Sequence, residues 1–296
     1  MTSIKEAAER IRAGELVAFP TETVYGLGAN ALDAAAVAKI YELKGRPPTS
    51  PLIVHVASIE MARTLVTEWP PEADQLVRKY WPGPLTLVLP KTSAIPDIVT
   101  AGLPTVGIRV PNHPLALALI QEAGVPLAAP SANRFTGLSP TTAAHVREAF
   151  GDSVPVLDGG SCRVGIESTV VSVTSGKITL LRPGMTSLED VESASLPAAN
   201  AAHPAPGMHH RHYSPRTPLV LSNAPDTRSA YLWIQHPATA ARCIQMPPTP
   251  EAYAAQLYSV LHDLDREAWP VICVEPPPDT VEWAAVLDRL QRASAK

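Results

Sequence analysis

Two cations and a histidine within a stretch of twelve residues are the side chains of this sequence best placed to do chemistry. Lys44 and Arg46 stand two residues apart at the end of a predicted helix, and a proline-rich turn leads from them to an apolar run that carries His55. Such a cationic turn between helix and strand can hold anionic groups beside a sheet. A lysine in the last turn of a helix that ends in glycine also satisfies ordinary capping and dipole preferences, so this stretch alone leaves both interpretations open.

Further polar side chains fall at or near the ends of predicted strands. Arg109 stands among apolar residues in a predicted strand over 105–111. A buried arginine needs an anionic partner, which is either an intrachain carboxylate or a ligand. Ser131 and Asn133 follow another strand, and ligands of open α/β sheets gather beyond strand ends, although both residue types also favour plain turns. Arg182 closes the last strand of this region.

Hydroxyl groups complete this polar set. Ser139 is predicted to start a helix that runs to about Phe150. Free N–H groups and hydroxyls at a helix start suit a phosphate, although capping alone also explains the serine. Ser168 opens a strand rich in β-branched residues. Thr, Lys, Arg, His, Ser and Asn bind and orient anions rather than form a nucleophile or an acid–base pair, and such positioning catalyses phosphoryl and nucleotidyl transfer.

Motifs of other enzyme classes are absent or mismatched. G-x-x-x-x-G-K-[ST], G-x-S-x-G and H-E-x-x-H do not occur. Residues 20–29 are predicted to form a polar loop between a strand and a helix that begins near Asp33. Residues 26–31 formally match G-x-G-x-x-A, but that fingerprint should follow its strand directly and open the helix. The glycines are therefore interpreted as points where the backbone bends or approaches another segment closely.

Hydrophobic periodicity predicts alternating helices and strands along most of the chain. The predicted helices cover 4–12, 34–44, 58–66, 71–79, 114–123, 139–150, the stretch around 253–264, and 281–292. The predicted strands cover 16–19, 52–56, 85–89, 105–111, 125–129, 154–157, 168–173, 178–181, 219–221, 230–234 and 271–274. Alternation beyond Pro218 favours a small open α/β domain with parallel strands.

The linking region is rich in Ala, Ser and Pro, and both helical and strand patterns fade from 186 to 205. The segment 206–215, PGMHHRHYSP, stands apart from it. Histidines at 203, 209, 210 and 212 suit a metal by composition. Adjacent histidines on an extended segment diverge, however, and no cysteine or carboxylate lies nearby, so a segment that folds over a ligand is favoured. No side-chain cluster predicts a metal site.

Composition and charge exclude several classes of protein. Of the 296 residues 46% are hydrophobic, yet no apolar run reaches membrane-spanning length. Three scattered cysteines and the lack of a signal peptide favour a reduced, cytoplasmic protein. Residues 1–185 carry 16 Lys and Arg against 16 Asp and Glu, without the basic footprint of nucleic-acid binding. Scattered cations in a neutral domain fit a small anionic ligand better.

Taken together, the chain resembles the threonylcarbamoyl-AMP synthases that join a YrdC-like N-terminal domain to a C-terminal accessory domain. The resemblance runs in order through FPTETVYGL at 19–27, KGRP at 44–47, WPGPLT at 81–86, IRVP at 108–111, PSAN at 130–133, STV at 168–170, LRPG at 181–184, PGM at 206–208 and HYSP at 212–215. It implies an α/β fold. A YrdC-like catalytic domain with a twisted mixed sheet and flanking helices covers 1–185. A linker with a lid over the nucleotide pocket covers 186–216, and a small Rossmann-like α/β domain covers 217–296.

The resemblance also implies an enzyme, a nucleotidyltransferase that makes threonylcarbamoyl-AMP and pyrophosphate from L-threonine, bicarbonate or CO2, and ATP with Mg²⁺. Its product feeds tRNA threonylcarbamoyladenosine modification by downstream threonylcarbamoyl transferase proteins, with tRNA binding weak or indirect and no membrane partner. The implied L-threonine site comprises Thr23, His55, Arg109, Ala129 and Ser168. The implied ATP site comprises Lys44, Arg46, Ser50, Thr105, Ser131, Asn133, Ser139, Arg182, His212 and Tyr213. Lys44, Arg46, Ser131 and Asn133 are the implied catalytic residues.

Two other functions remain as alternatives. YrdC-like domains suggest a non-catalytic RNA-binding module, against which the neutral charge of residues 1–185 argues. A carbamoyl transferase built on a related domain is the second alternative. The segment 206–215 and the absence of companion domains weigh against it.

Overall fold

The computed structural model describes residues 2–174, 176–188, 191–193 and 212–295. Its helices are α1 Ile4–Arg12, α2 Ala34–Lys44, α3 Ile59–Arg63, α4 Pro71–Tyr80, α5 Asp97–Thr100, α6 Pro114–Ala123, α7 Ala143–Phe150, α8 Pro250–Glu267 and α9 Ala284–Ser294. Its strands are β1 Val17–Phe19, β2 Gly26–Asn30, β3 Ile53–His55, β4 Leu85–Pro90, β5 Thr105–Arg109, β6 Leu127–Ala128, β7 Thr169–Thr174, β8 Lys177–Arg182, β9 Glu192–Ser193, β10 Leu219–Leu221, β11 Ala230–Trp233, β12 Arg242–Gln245 and β13 Ile272–Val274. None of the described helices has both the length and the apolar surface that crossing a membrane requires.

The larger sheet is mixed, as expected. Its described strands lie in the order β1-β2-β6-β3-β5-β4-β7-β8-β9. The pairs β3–β5, β4–β7 and β8–β9 are parallel, and the other neighbours are antiparallel. Both faces are covered, because alternate residues of β1 belong to different cores. Val17 and Phe19 pack with α1 and α6, whereas Ala18 packs with residues of α2, α4 and α7.

The smaller sheet is parallel throughout, with strand order β10-β13-β11-β12. This confirms the expected parallel α/β arrangement after Pro218. The apolar stripe of α8 packs on this sheet through Tyr253, Leu257, Leu261 and Leu264, which are all buried. Strand β12 was not predicted, because it is an edge strand whose residues are mostly exposed and lack an apolar pattern.

Local capping explains why the helix before the cationic turn lies where the sequence predicts. The Asp33 carboxylate accepts hydrogen bonds from the Ala35 and Ala36 N–H groups at the start of α2. Gly45 ends the helix with a φ of 64°, a left-handed conformation that glycine adopts at little cost. Lys44 is therefore the last residue of α2, and Arg46 begins the turn.

Two local predictions were wrong, one for a strand and one for the start of a helix. Residues 26–29, predicted as part of a polar loop, form strand β2 together with Asn30. Gly28 lets this strand lie close to β1, since a Cβ there would stand 2.8 Å from Cε1 of Phe19. The helix predicted from Ser139 begins at Ala143 instead, because Thr142 is its N-cap and accepts from the His145 N–H.

One further strand prediction fails at the margin of the larger sheet. Residues 154–157 form only an isolated bridge, between Val156 and Ala18. Pro155 lacks the N–H that a strand would donate to a ladder. Part of the predicted linker, residues 192–193, adds a short strand to the sheet edge. The domain boundaries remain predictions, and residues 194–211 of the linker lie outside the described residues.

Candidate functional site

A cavity opens at one end of the strands of the larger sheet, where β3, β5 and β8 end and β7 begins. Ten of the predicted site residues line it: Thr23, Arg46, His55, Arg109, Ala129, Ser131, Ser168, Arg182, His212 and Tyr213. The parallel pairing of β3 with β5 sets His55 directly beside Arg109. Segments that are far apart in the sequence therefore meet at one cavity, as expected for the strand ends of an α/β sheet.

Arg109 is buried and has an intrachain carboxylate partner. Its Nη2 lies 2.8 Å from Oε1 of Glu22, and both side chains are almost fully buried. Nη1 donates to Oγ1 of Thr23 at 2.9 Å, and Nε donates to the Gly83 carbonyl at 3.1 Å. Glu22 also accepts from the N–H of Asn112 at 3.0 Å. This ion pair, with the other hydrogen bonds of Arg109, holds the guanidinium at a fixed position in the cavity wall.

His55 is a neutral imidazole at the cavity wall. Burial, together with the positive charge of Arg109, lowers the pKa of His55 to about 3. The Phe19 ring meets the imidazole edge-on, with centroids 5.9 Å apart. His55 therefore keeps a hydrogen-bonding nitrogen without a charge at neutral pH.

Lys44 does not line the cavity but lies directly behind it. Its Nζ donates to the Ser131 carbonyl at 2.7 Å and also to the Asn133 carbonyl. Burial, with the nearby charges of Arg46 and Arg134, lowers the pKa of Lys44 well below its usual value. The lysine thus holds the turn that presents Ser131 to the cavity.

The other two predicted cations reach the cavity directly. Arg46 is buried and donates from Nη2 to the Pro51 carbonyl at 3.0 Å, and burial lowers its pKa to about 10. Arg182 donates from Nη2 to both the carbonyl and the hydroxyl of Ser168, at 2.9 and 3.2 Å. The Ser168 hydroxyl also lies 2.8 Å from that of Thr86. These hydrogen bonds fix the cationic and hydroxyl groups in the cavity wall.

Four more of the predicted residues stand outside this cavity. Thr105 lines a separate small cavity with Thr86 and Gly107. Ser50 is buried, and its carbonyl accepts from the Tyr41 hydroxyl. The Asn133 amide donates to the carbonyls of Arg134 and Gly137, as in a structural turn. Ser139 donates to Glu167 at 2.5 Å. Ligand contacts by these four residues remain predictions.

His212 and Tyr213 close one side of the cavity. Tyr213 is buried and has a φ of 59°, an uncommon left-handed conformation for a bulky side chain. Ser214 ties the segment down by donating its N–H to the Thr136 carbonyl at 2.9 Å. The histidines at 203, 209 and 210, and with them most of the predicted lid over 206–215, lie outside the described residues.

Several cavity residues were missed from the sequence: Thr21, Val24, Gly26, Ile53, Pro130 and Glu167. Also missed from the sequence was Glu22, an acid that does not line the cavity but pairs with Arg109 in its wall. One signal pointed to it, since a buried arginine requires an anion and Glu22 lies in the polar stretch next to Thr23. In the described ranges, no three His, Cys, Asp or Glu side chains are grouped so as to hold a metal ion.

The fold and this site define an α/β protein that can bind anionic groups in a buried, cationic cavity at its strand ends. A family model described as "Telomere recombination" matches residues 9–184, and one described as "Threonylcarbamoyl-AMP synthase, C-terminal domain" matches residues 179–295. The chain is 41% identical to the threonylcarbamoyl-AMP synthase of Pyrococcus abyssi, over 98% of this chain and 94% of that protein. It is also 41% identical to the threonylcarbamoyl-AMP synthase of Bacillus subtilis, over 98% and 92%. The chain belongs to the threonylcarbamoyl-AMP synthase family, as the resemblance implied.

Solved structures support the same assignment. The crystal structure of P. abyssi Sua5 complexed with L-threonine superposes with a TM-score of 0.92 at 39% identity, covering 98% of this chain and 94% of that one. E. coli YciO, at 22% identity and a TM-score of 0.55, covers 63% of this chain and 91% of its own. That second likeness shows the fold alone. The P. abyssi and B. subtilis relatives are named as synthases, so the family is one of enzymes.

Proposed function

We propose that this protein is an L-threonylcarbamoyladenylate synthase, a nucleotidyltransferase that makes threonylcarbamoyl-AMP and pyrophosphate from L-threonine, bicarbonate or CO2, and ATP. The observation that carries the proposal is the convergence of Arg46, Arg109 and Arg182 with a neutral His55 on one cavity. This convergence occurs in a chain that covers nearly all of a relative solved with L-threonine. Three buried guanidinium groups match substrates that carry a carboxylate and a triphosphate.

The amino acid would bind in the part of the cavity at the carboxyl ends of β3 and β5. Arg109 would receive the threonine carboxylate, since Glu22 and Thr23 hold its guanidinium in place. The neutral imidazole of His55 would accept a hydrogen bond from the threonine amine or hydroxyl. Ser168 and the backbone at Ala129 would complete the site.

The nucleotide would bind next to the amino acid in the same cavity. Arg46 and Arg182 would contact its phosphates, as would Ser131, whose turn Lys44 holds. Mg²⁺ would enter bound to ATP, as part of the substrate. The remaining predicted ATP contacts are Ser50, Thr105, Asn133, Ser139, His212 and Tyr213.

The chemistry would follow from holding both substrates in one place. The threonine amine adds to CO2 and loses a proton, which gives a carbamate. A carbamate oxygen then attacks the α-phosphorus of ATP, and the bond from that phosphorus to the bridging oxygen breaks as pyrophosphate leaves. Arg46 and Arg182 would stabilise the charge that develops on the phosphates. The protein therefore needs no nucleophile of its own.

The remaining predictions are part of the same proposal. Residues 1–185 would form the catalytic domain, and residues 217–296 the accessory domain. The segment 206–215 would cover the nucleotide and exclude water from a labile product. The product would pass to tRNA-modifying threonylcarbamoyl transferase proteins in the cytoplasm.

Amino-acid-dependent release of pyrophosphate tests the proposal. The protein is incubated with ATP, Mg²⁺ and bicarbonate, and each amino acid is added singly. We expect release with L-threonine alone, and a product with the mass of threonylcarbamoyl-AMP. Tight, salt-sensitive binding of tRNA without threonine-dependent release would favour an RNA-binding module instead.

A further inference from the structure

Arg289 connects the smaller sheet to the wall of the cavity. It lies on α9, and its side chain is fully buried. Its Nε donates to Oε2 of Glu167 at 2.8 Å, and its Nη1 donates to the Pro183 carbonyl at 3.0 Å and to Asp288 at 2.7 Å. A single guanidinium from one end of the chain thus holds two separate segments of the larger sheet.

The groups that Arg289 contacts flank the residues proposed to bind substrates. Glu167 directly precedes Ser168, and Pro183 directly follows Arg182. Because Arg182 itself donates to the Ser168 carbonyl, the two segments form one unit. Arg289 therefore holds this unit in place, and it is fully buried and is not one of the residues that line the cavity.

Glu167 is the point where both helices of the smaller sheet meet the cavity. Its carboxylate accepts from Arg289 of α9 and from the hydroxyl of Tyr258, on α8, at 3.2 Å. It also accepts from Ser139 at 2.5 Å, and it lines the cavity. A displacement of α8 or α9 would therefore also move the Glu167 carboxylate in the cavity wall.

Tyr213 gives Arg289 a third contact with the cavity. The guanidinium carbon of Arg289 lies 5.2 Å from the centre of the Tyr213 ring, a distance at which a cation attracts an aromatic face. Tyr213 is far from Ser168 in the sequence, but both residues line the cavity. Arg289 thus touches the segments before β7, after β8 and at the entry to the smaller sheet.

We propose that Arg289 is a positioning residue that sets Ser168, Arg182 and Tyr213 for the reaction from a helix of the smaller sheet. This inference rests on the proposed function. A guanidinium is suited to this role because its planar fork donates in several fixed directions at once. A lysine at the same place would keep the charge but satisfy fewer of these acceptors.

Kinetics and threonine binding of Arg289→Met and Arg289→Lys test the proposal. We expect Arg289→Met to weaken L-threonine binding, measured by calorimetry, about tenfold, with a similar rise in KM for threonine and ATP. Arg289→Lys should fall between Arg289→Met and the wild type. Wild-type binding and kinetics in Arg289→Met would overturn the positioning role.

Two further variants separate positioning from a general loss of stability. Glu275→Gln removes a different buried carboxylate in the smaller sheet and should keep wild-type KM values. Equal losses in Glu275→Gln and Arg289→Met at matched thermal stability would overturn the proposal. The double variant Glu167→Gln/Arg289→Met should lose no more than Arg289→Met alone, because the two residues act as one pair. Fully multiplicative losses would contradict that pairing.

The two proposals fail in different ways. If the wild type binds L-threonine without releasing pyrophosphate, the proposed reaction is wrong, and calorimetry still decides the role of Arg289. If the wild type neither binds L-threonine nor releases pyrophosphate, both proposals are wrong.

Discussion

The two sheets of this protein differ in the charged groups that lie at their strand ends. At the larger sheet, cations gather around a cavity, and Arg46 and Arg182 reach it from different segments. At the smaller sheet, the carboxylate of Glu275 follows β13 and accepts the N–H groups of Ile234, Gln235 and His236 at 2.6, 3.1 and 3.2 Å. Three converging N–H groups form the kind of backbone concavity that binds an anion.

The difference shows how one architecture becomes a binding site in one place and a structural support in another. Burial raises the pKa of Glu275, but hydrogen bonds from the Ile234 N–H and from His236 outweigh it, so the net pKa is lowered. The anion position of the smaller sheet is thus filled by the chain itself. At the larger sheet, Arg109 pairs with an internal acid, Glu22, and Arg46 and Arg182 also border the cavity.

The largest effect is expected from removing a cation of the larger sheet. Arg46→Ala and Arg109→Ala should each lower threonine-dependent pyrophosphate release about 10²–10³-fold, because each removes a fixed positive charge from the cavity. Arg46→Ala should act mainly on ATP and Arg109→Ala mainly on threonine, as steady-state kinetics will show.

A control is needed because Arg109→Ala leaves the Glu22 carboxylate buried without its cation. The double variant Glu22→Gln/Arg109→Ala removes both charges and should recover stability without recovering activity. Circular dichroism monitors the fold. Wild-type turnover in Arg46→Ala or Arg109→Ala would remove that residue from the site.

A stability effect without a kinetic effect is expected at the smaller sheet. Glu275→Gln should reduce the free energy of unfolding by about 1–3 kcal/mol, since an amide cannot match the charged acceptor of three N–H groups. Chemical denaturation measures the loss, and KM values should stay those of the wild type. A specific rise in KM would show that the smaller sheet also contributes to ligand binding through Glu275.

A smaller effect, on stability at low pH, is expected where α7 meets α8. The rings of His145 and His262 stack there with centroids 3.9 Å apart. Burial lowers the pKa of His145 to about 4 and also lowers that of His262, while Arg266, Asp263, Glu148 and Asp265 surround the pair. The unfolded chain, with histidine pKa values near 6.5, therefore takes up protons first as the pH falls. The stability from the neutral rings is complete above about pH 6.5 and declines from there towards pH 4.

Thermal unfolding between pH 7 and pH 4.5 measures this decline. His145→Gln should show a shallower fall of Tm than the wild type, although not a flat one, because the buried His55 also resists protonation. An identical fall of Tm in the variant and the wild type would show that the stacked pair does not contribute.

Much of the fold was predictable because it depends on neighbours in the sequence. The helix 114–123 was predicted with the bounds it has, and Asp33 and Gly45 mark the ends of α2 as capping rules expect. The wrong predictions have tertiary causes. Strand β2 exists because its glycines fit against Phe19, and β12 exists because β11 offers it an edge to pair with.

The candidate site divides in the same way. Residue types and their order alone indicated cations and hydroxyls near strand ends, and the family they imply is confirmed by the comparisons. The pairing of Arg109 with Glu22 and of Arg289 with Glu167 was decided only by the tertiary structure. These contacts join segments that become neighbours through strand order and helix packing. No local sequence pattern predicts these pairs, because the position of a charged residue in the sequence does not show which distant charged residue will lie next to it in the fold.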